Sequence, residues 1–159
     1  MTYRALVLPP APTASSETAR HHLRRTALRD TAPELALRRE LHRRGLRFLV
    51  DVAPSGTSRR RRVDVLLRGA RIAVLVHGCF WHGCPAHFHA PRANADWWRL
   101  KLESVQRRDA DTLVQLEAAG WLPVVVWKHE DMAAAAGRLR DLCRERGRLA
   151  AAGGGGAQS

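Results

Sequence analysis

The residues best suited to chemistry lie in one stretch, His77-Gly78-Cys79-Phe80-Trp81-His82-Gly83-Cys84-Pro85-Ala86-His87-Phe88-His89. Cys79 and Cys84 have four residues between them, and His87 follows Cys84 after two more. Structural zinc takes four thiolate or imidazole ligands at tetrahedral angles. Cys79, Cys84 and His87 can supply three of them, and His129 is the expected fourth. The competing reading is that both cysteines are small buried hydrophobes. Cys143 lies beside Leu139 and Leu142 in a helical pattern and reads as core packing.

Asp64 is the next residue to explain, because it interrupts the apolar run Val63-Asp64-Val65-Leu66-Leu67. Simple alternation would turn it to water. A core-facing carboxylate would instead need a partner or a metal ion. Phe80-Trp81 and Trp97-Trp98 are aromatic pairs close to basic residues. Trp98 stands four before Leu102, the spacing of a helix packing face, but Phe80-Trp81 sits in a polar, glycine-flanked loop where a wedge into DNA is a use for it. The run Arg59-Arg60-Arg61-Arg62 offers phosphate contacts, or is a solvated loop.

Elements must hold these residues in place. Thr31-Ala32-Pro33-Glu34 has the form of a capping box and opens a helix over 32–44, with Leu37 and Leu41 inward and Arg38, Arg39, Arg43 and Arg44 on an outer face. Strands are expected over 48–52, 63–67 and 71–76, the last two joined as a hairpin by Arg68-Gly69-Ala70. Residues 77–92 have no helical or strand period. A helix over 93–119, a strand over 124–127 starting after Pro123, and a helix from the Asp131 cap to about 146 complete the pattern. The nearly all-apolar strand 71–76 suits the middle of a sheet covered on both faces. The expected fold is therefore α/β, three layers with a mixed central sheet flanked by helices. Residues 1–27 read as a flexible basic arm, 28–146 as the domain, and 147–159 as a disordered Gly/Ala-rich tail.

The whole chain sets limits on function. It has 159 residues, enough for one domain, and 45% of them are hydrophobic, enough for a core. Its 27 Lys and Arg against 15 Asp and Glu give a net charge of +12, which points to a polyanion and to nucleic acid first. No apolar run approaches the roughly 20 residues of a membrane span, and no secretory leader is expected. Three cysteines, two of them close together, favour a reducing compartment over a disulfide scaffold. A cytoplasmic location is the expectation.

Several segments in order match one family: Leu28-Arg29-Asp30-Thr31-Ala32-Pro33-Glu34-Leu35, Arg62-Val63-Asp64, His77 through Pro85, Asp96-Trp97-Trp98, Arg108-Asp109, Gly120-Trp121 and Val126-Trp127-Lys128-His129-Glu130. Together, over about 28–130, they resemble the very short patch repair endonucleases, which nick mismatched DNA. Gly-Cys-Phe-Trp-His followed by Gly-Cys-Pro is the most specific of them. The resemblance implies a restriction-endonuclease-like fold with a structural zinc site, and magnesium-dependent cleavage beside the T of a T·G mismatch, which starts repair of deaminated 5-methylcytosine. Double-stranded DNA bearing that mismatch is the implied substrate, with mismatch-repair proteins and DNA polymerase as further partners, and a monomer associated with the bacterial nucleoid is the implied setting.

Carried over residue by residue, the resemblance places Asp64 on the magnesium-binding carboxylate, beside the backbone carbonyl of Val76. It places His82 on the base that activates water, His77 and Asp109 around the hydrated ion, and Glu34 on an acidic position near the active centre. Phe80, Trp81 and Trp98 fall on aromatics that wedge into DNA, and Cys79, Cys84 and His129 on zinc positions. The chain departs from some members: His129 replaces a Cys, Val76 a Thr, and the histidine between the cysteines is absent, so His87 is the substitute. An imidazole, with an ordinary pKa of about 6.5, suits a general base at pH 7. Other readings are a zinc-supported DNA-binding module without nicking, a nuclease of the same fold with another DNA substrate, and a basic RNA-binding protein, which leaves the His/Cys cluster unexplained.

Overall fold

Helix α1 runs over Ala32–Arg43, and the box at its start is built differently from the simple form. Thr31 donates its hydroxyl to Glu34 Oε1 (2.8 Å), and Glu34 Oε2 accepts the Asp30 N–H (3.0 Å). Arg38, one turn on, is not on an outer face: it bonds Asp30 (2.6 Å) and Glu34 (3.2 Å). Arg44 likewise folds back onto Glu40 and the Ala133 carbonyl. Arg39 and Arg43 are exposed, as expected. The computed structural model describes residues 6–13, 16–17 and 29–153. The basic stretch 20–29 lies outside the described residues up to 28, as do 154–159.

Strand β1 (Leu49–Val52) pairs antiparallel with β2 (Val63–Leu67), and β2 with β3 (Ile72–His77) through a 3-10 turn at Arg68–Ala70. Helix α2 (Ala95–Ala118) then carries the chain across to β4 (Leu122–Trp127), which runs parallel to β3. A parallel neighbour requires such a crossover. The strand order is β1-β2-β3-β4, so the sheet is mixed and the apolar strand β3 is internal. Pro123 sits second in β4 rather than before it, opposite Ala73. That is tolerated because β4 is an edge strand.

The last helix, α3, spans Met132–Gly153 and so passes the end expected near 146. Asp131 caps it by accepting the Ala134 N–H at 2.8 Å. Alanine-rich sequence carries the helix on past 146, because Ala has the best intrinsic propensity. Leu37 and Leu41 of α1 and Ala135, Ala136 and Leu139 of α3 bury one face of the sheet with Val65, Leu67, Ile72, Val74 and Val126. Cys143 packs half-buried on the same core. Leu116 of α2 and Trp121 cover the opposite face with Leu66 and Ala73. The result is three layers: α1 and α3, the sheet, and α2.

Candidate active site and metal-ligand cluster

The parallel strands β3 and β4 end side by side, with His77 in register with Trp127. The carboxyl ends of such strands are where α/β sheets commonly place their sites. Here the His/Cys loop leaves β3 and the His129 turn leaves β4. The loop bonds to itself through His82 N–H to Gly78 O (3.2 Å), Gly83 N–H to Phe80 O (3.3 Å) and Cys84 N–H to Cys79 O (2.9 Å). Gly83, between His82 and Cys84, has φ +61°, the left-handed region that glycine enters freely.

On one side of the loop, Cys79, Cys84, His87 and His129 converge, with ligand atoms within 4.8 Å of one another. Cys79 Sγ lies 3.1 Å from His129 Nδ1, Cys84 Sγ 3.7 Å from the same nitrogen, and Cys84 Sγ 3.8 Å from His87 Nδ1. Metal–sulfur and metal–nitrogen bonds of tetrahedral zinc imply an S···N edge of about 3.6 Å. The donor set and its spacing therefore fit such an ion. The cysteines are buried and the two histidines exposed. Glu130 fixes the turn that carries His129: it accepts the Trp127 N–H at 2.7 Å and pairs with Arg138 at 2.5 Å.

On the other side, His77, His82 and Asp109 form a second group within the same 4.8 Å limit. His82 Nδ1 is 2.6 Å from Asp109 Oδ2, and the His77 and His82 rings stack at 3.9 Å with planes 7° apart. Burial, aided by the charges of His82 and Arg108, lowers the His77 pKa to about 4, so at neutral pH it is an uncharged plate. Burial acts to raise the Asp109 carboxyl, but the His82 hydrogen bond and the nearby charges of His82, His77 and Arg108 outweigh it and hold it below its ordinary range. An ionised carboxylate only accepts, so His82 Nδ1 carries the proton and Nε2 is the open nitrogen.

Asp64 does not simply face water. The β2–β3 pairing stops at Val65↔Val74, and Asp64 Oδ2 accepts the Val76 N–H at 2.6 Å in its place. Among the described residues its Oδ1 accepts no hydrogen bond. In a strand, one residue's N–H and C=O face the same edge, so the Val76 carbonyl opens towards Asp64. Burial raises the Asp64 pKa to about 6 against the Val76 bond; Glu34 raises it further, while Arg38 and His82 oppose that. Two oxygen donors at one strand edge fit a hard divalent cation. Glu34 itself is buried and bonded to Asp30, Thr31 and Arg38.

Phe80, Trp81 and Trp98 form a half-buried aromatic cluster, with ring centroids 5.2 Å apart for Phe80–Trp81 and Phe80–Trp98 and 5.9 Å for Trp81–Trp98. It ties the loop to the start of α2. The four arginines separate into two kinds: Arg59 and Arg60 are exposed with no carboxylate partner among the described residues, whereas half-buried Arg61 pairs with Asp111 and exposed Arg62 with Asp51 (2.7 Å). Arg38 and Arg44, expected on an outer face, are instead held by Glu34 and Glu40. In each case the spacing of four from a glutamate is the available signal, since such pairs meet on a helix.

Comparison with known proteins adds to this geometry. The family profile described as DNA mismatch endonuclease Vsr matches residues 14–87. The chain is 34% identical over 132 residues to type II nicking enzyme V.XorIIP of Xanthomonas oryzae pv. oryzae, covering 80% of this chain and 93% of that one. It is 32% identical over 112 residues to DNA mismatch endonuclease Vsr of Escherichia coli, covering 70% and 69%. Against type II nicking enzyme V.NaeI of Lentzea aerocolonigenes it is 36% identical over 103 residues, and the match spans 62% of that relative's length.

Proposed function

Because the chain belongs to the Vsr family of DNA endonucleases, we propose that it nicks one strand of duplex DNA beside the T of a T·G mismatch and so starts repair of deaminated 5-methylcytosine. The observation that carries this reading is that one loop bears both the imidazole engaged by Asp109 at 2.6 Å and the Phe80–Trp81 pair. Recognition and hydrolysis are thereby joined within a few residues. No helix among the described residues is long and apolar enough to cross a membrane.

In this reading Asp64 and the Val76 carbonyl hold magnesium, which supplies charge to offset the phosphodiester and the leaving 3′ oxygen. His82 takes a proton from the attacking water at Nε2, while Asp109 holds Nδ1 and steadies the imidazolium that forms. Neutral His77 stacks on His82 and fixes its plane without adding a charge. Glu34, held by Arg38, presents its negative field to Asp64. Cys79, Cys84, His87 and His129 hold a structural zinc that anchors both ends of the loop. Phe80, Trp81 and Trp98 enter the duplex beside the mismatch, where unstacking costs least. Arg59 and Arg60 meet phosphates, while Arg61 and Arg62 reach them only by leaving their carboxylate partners.

The test is a strand-specific nicking assay on matched T·A and mismatched T·G duplexes with and without magnesium. Nicking of the T strand of T·G alone, dependent on the ion, supports the proposal. Equal cleavage of both duplexes moves the chain to a nuclease with another substrate, and binding without cleavage to a DNA-binding module.

A further inference from the structure

We propose that Arg108 is a further catalytic residue, whose guanidinium holds a non-bridging oxygen of the scissile phosphate against the His77–His82–Asp109 trio. The proposal rests on the nicking reading above. A phosphodiester entering this site meets the carboxylates of Asp64 and Asp109, with Glu34 behind them. An anion approaching that field needs a cation with open donors. The arginines nearby are engaged: Arg38 by Asp30 and Glu34, Arg61 by Asp111, Arg107 by Glu103. Arg108 differs from them. Its closest carboxylate oxygen, on Asp109, is 3.6 Å away, and among the described residues its guanidinium makes no hydrogen bond.

Its side chain is 51% exposed, so the fork is open to a ligand from solvent. The same Asp109 holds His82 through its other oxygen at 2.6 Å, so the guanidinium lies beside the trio. The backbone beneath it is fixed, since Thr112 donates its hydroxyl to the Arg108 carbonyl at 2.8 Å. Ionised Asp109 thus keeps the guanidinium close to the reacting centre without occupying its donors. A planar fork suits two oxygens of one phosphate. It would stabilise the charge that gathers on them as water attacks.

The experiment compares wild type with Arg108→Ala, a change a helix accepts readily. Affinity is measured without added magnesium on a T·G duplex and on the same duplex with a methylphosphonate at the scissile linkage. Arg108→Ala should weaken binding of the natural duplex by about tenfold, the scale of one charge-assisted hydrogen bond. It should leave binding of the neutralised duplex unchanged. The salt slope of binding should fall by about 0.9, the share of one phosphate contact. With magnesium, nicking should drop by about 100-fold or more while melting temperature and bound metal stay as in wild type. The same loss of affinity on both duplexes, or full nicking by the variant, overturns the proposal. Absence of nicking by wild type would count against the endonuclease reading alone, because the binding comparison still reports on Arg108.

Discussion

Asp109 grips His82 by Nδ1 at 2.6 Å while His77 lies flat against the same ring at 3.9 Å. One contact sets the tautomer and the other sets the plane, so Nε2 has a single direction. Asp109→Asn keeps the size and removes the charge. The amide can then accept or donate, and the tautomer is no longer enforced. Single-turnover nicking at saturating enzyme should fall by roughly 100-fold to 10,000-fold. A loss below fivefold would show that Asp109 does not orient the base.

Asp64 carries a cost to the fold. Its pKa is about 6 in the folded chain against an ordinary 3.8 for an exposed Asp, so between those values the native state binds more protons than the unfolded state. Stability therefore decreases as pH rises through that window, by about 3 kcal/mol in total. Asp64→Asn should remove the decrease: equal to wild type below pH 4, more stable by an amount of that order at pH 7. Denaturant midpoints measured across pH without magnesium read this difference. A variant less stable at pH 7 than wild type would refute it. Nicking by wild type should rise with pH as Asp64 ionises, and the variant should be inactive by orders of magnitude.

The sulfur–nitrogen cluster should hold about one zinc per chain after purification without chelator. Cys84→Ala should lose that metal and melt at lower temperature, because ligand binding and folding are linked. His82→Ala should keep the metal and lose at least about 100-fold in rate. Metal content below a tenth of an equivalent in a folded wild type removes the zinc assignment, and metal loss in His82→Ala moves that residue from catalysis to structure.

Trp81 is half-buried between Phe80 and Trp98 rather than free in solvent. Trp81→Ala should cost about 1 kcal/mol of stability, the scale of an aromatic pair. Its larger effect should be on the ratio of T·G to T·A affinity, measured by competition. A loss of several kcal/mol with the ratio intact would make Trp81 a core residue.

Arg38→Ala leaves Glu34 buried without its cation. Removing one partner of a buried pair costs about 3 kcal/mol. The hydrogen bonds from Asp30 and Thr31 remain, so the loss should fall at or below that figure in a denaturant titration. Arg39→Ala, on an exposed site, should lie within about 0.5 kcal/mol of wild type.

The elements were readable because their patterns are local. The apolar β3, the Leu37–Leu41 spacing and the Asp131 cap all report nearest neighbours. The pairing of Asp64 with the Val76 N–H was hidden, because alternation carries no information on where a ladder ends. Arg38 and Arg61 read as outer or phosphate-facing charges, but their carboxylate partners lie respectively one helical turn and 50 residues away. Charge counts in a sequence do not say which cations are already engaged. The ligand cluster was legible as a set, Cys79, Cys84 and His87 from their spacing and His129 from its place after a strand; their convergence comes from the parallel pairing of two strand ends.

That pairing also sets an order of assembly. Cys79 and His129 are 50 residues apart in the chain, and α2 and β4 must both be placed before they meet. Parallel strands joined by a long crossover pair slowly, because the loop must close before their contacts form. A nascent or truncated chain ending before β4 would already contain Asp64, His82 and Asp109, yet its loop would lack the far anchor. The far anchor of the loop that carries His82 is thus supplied by residues that follow α2 in the chain.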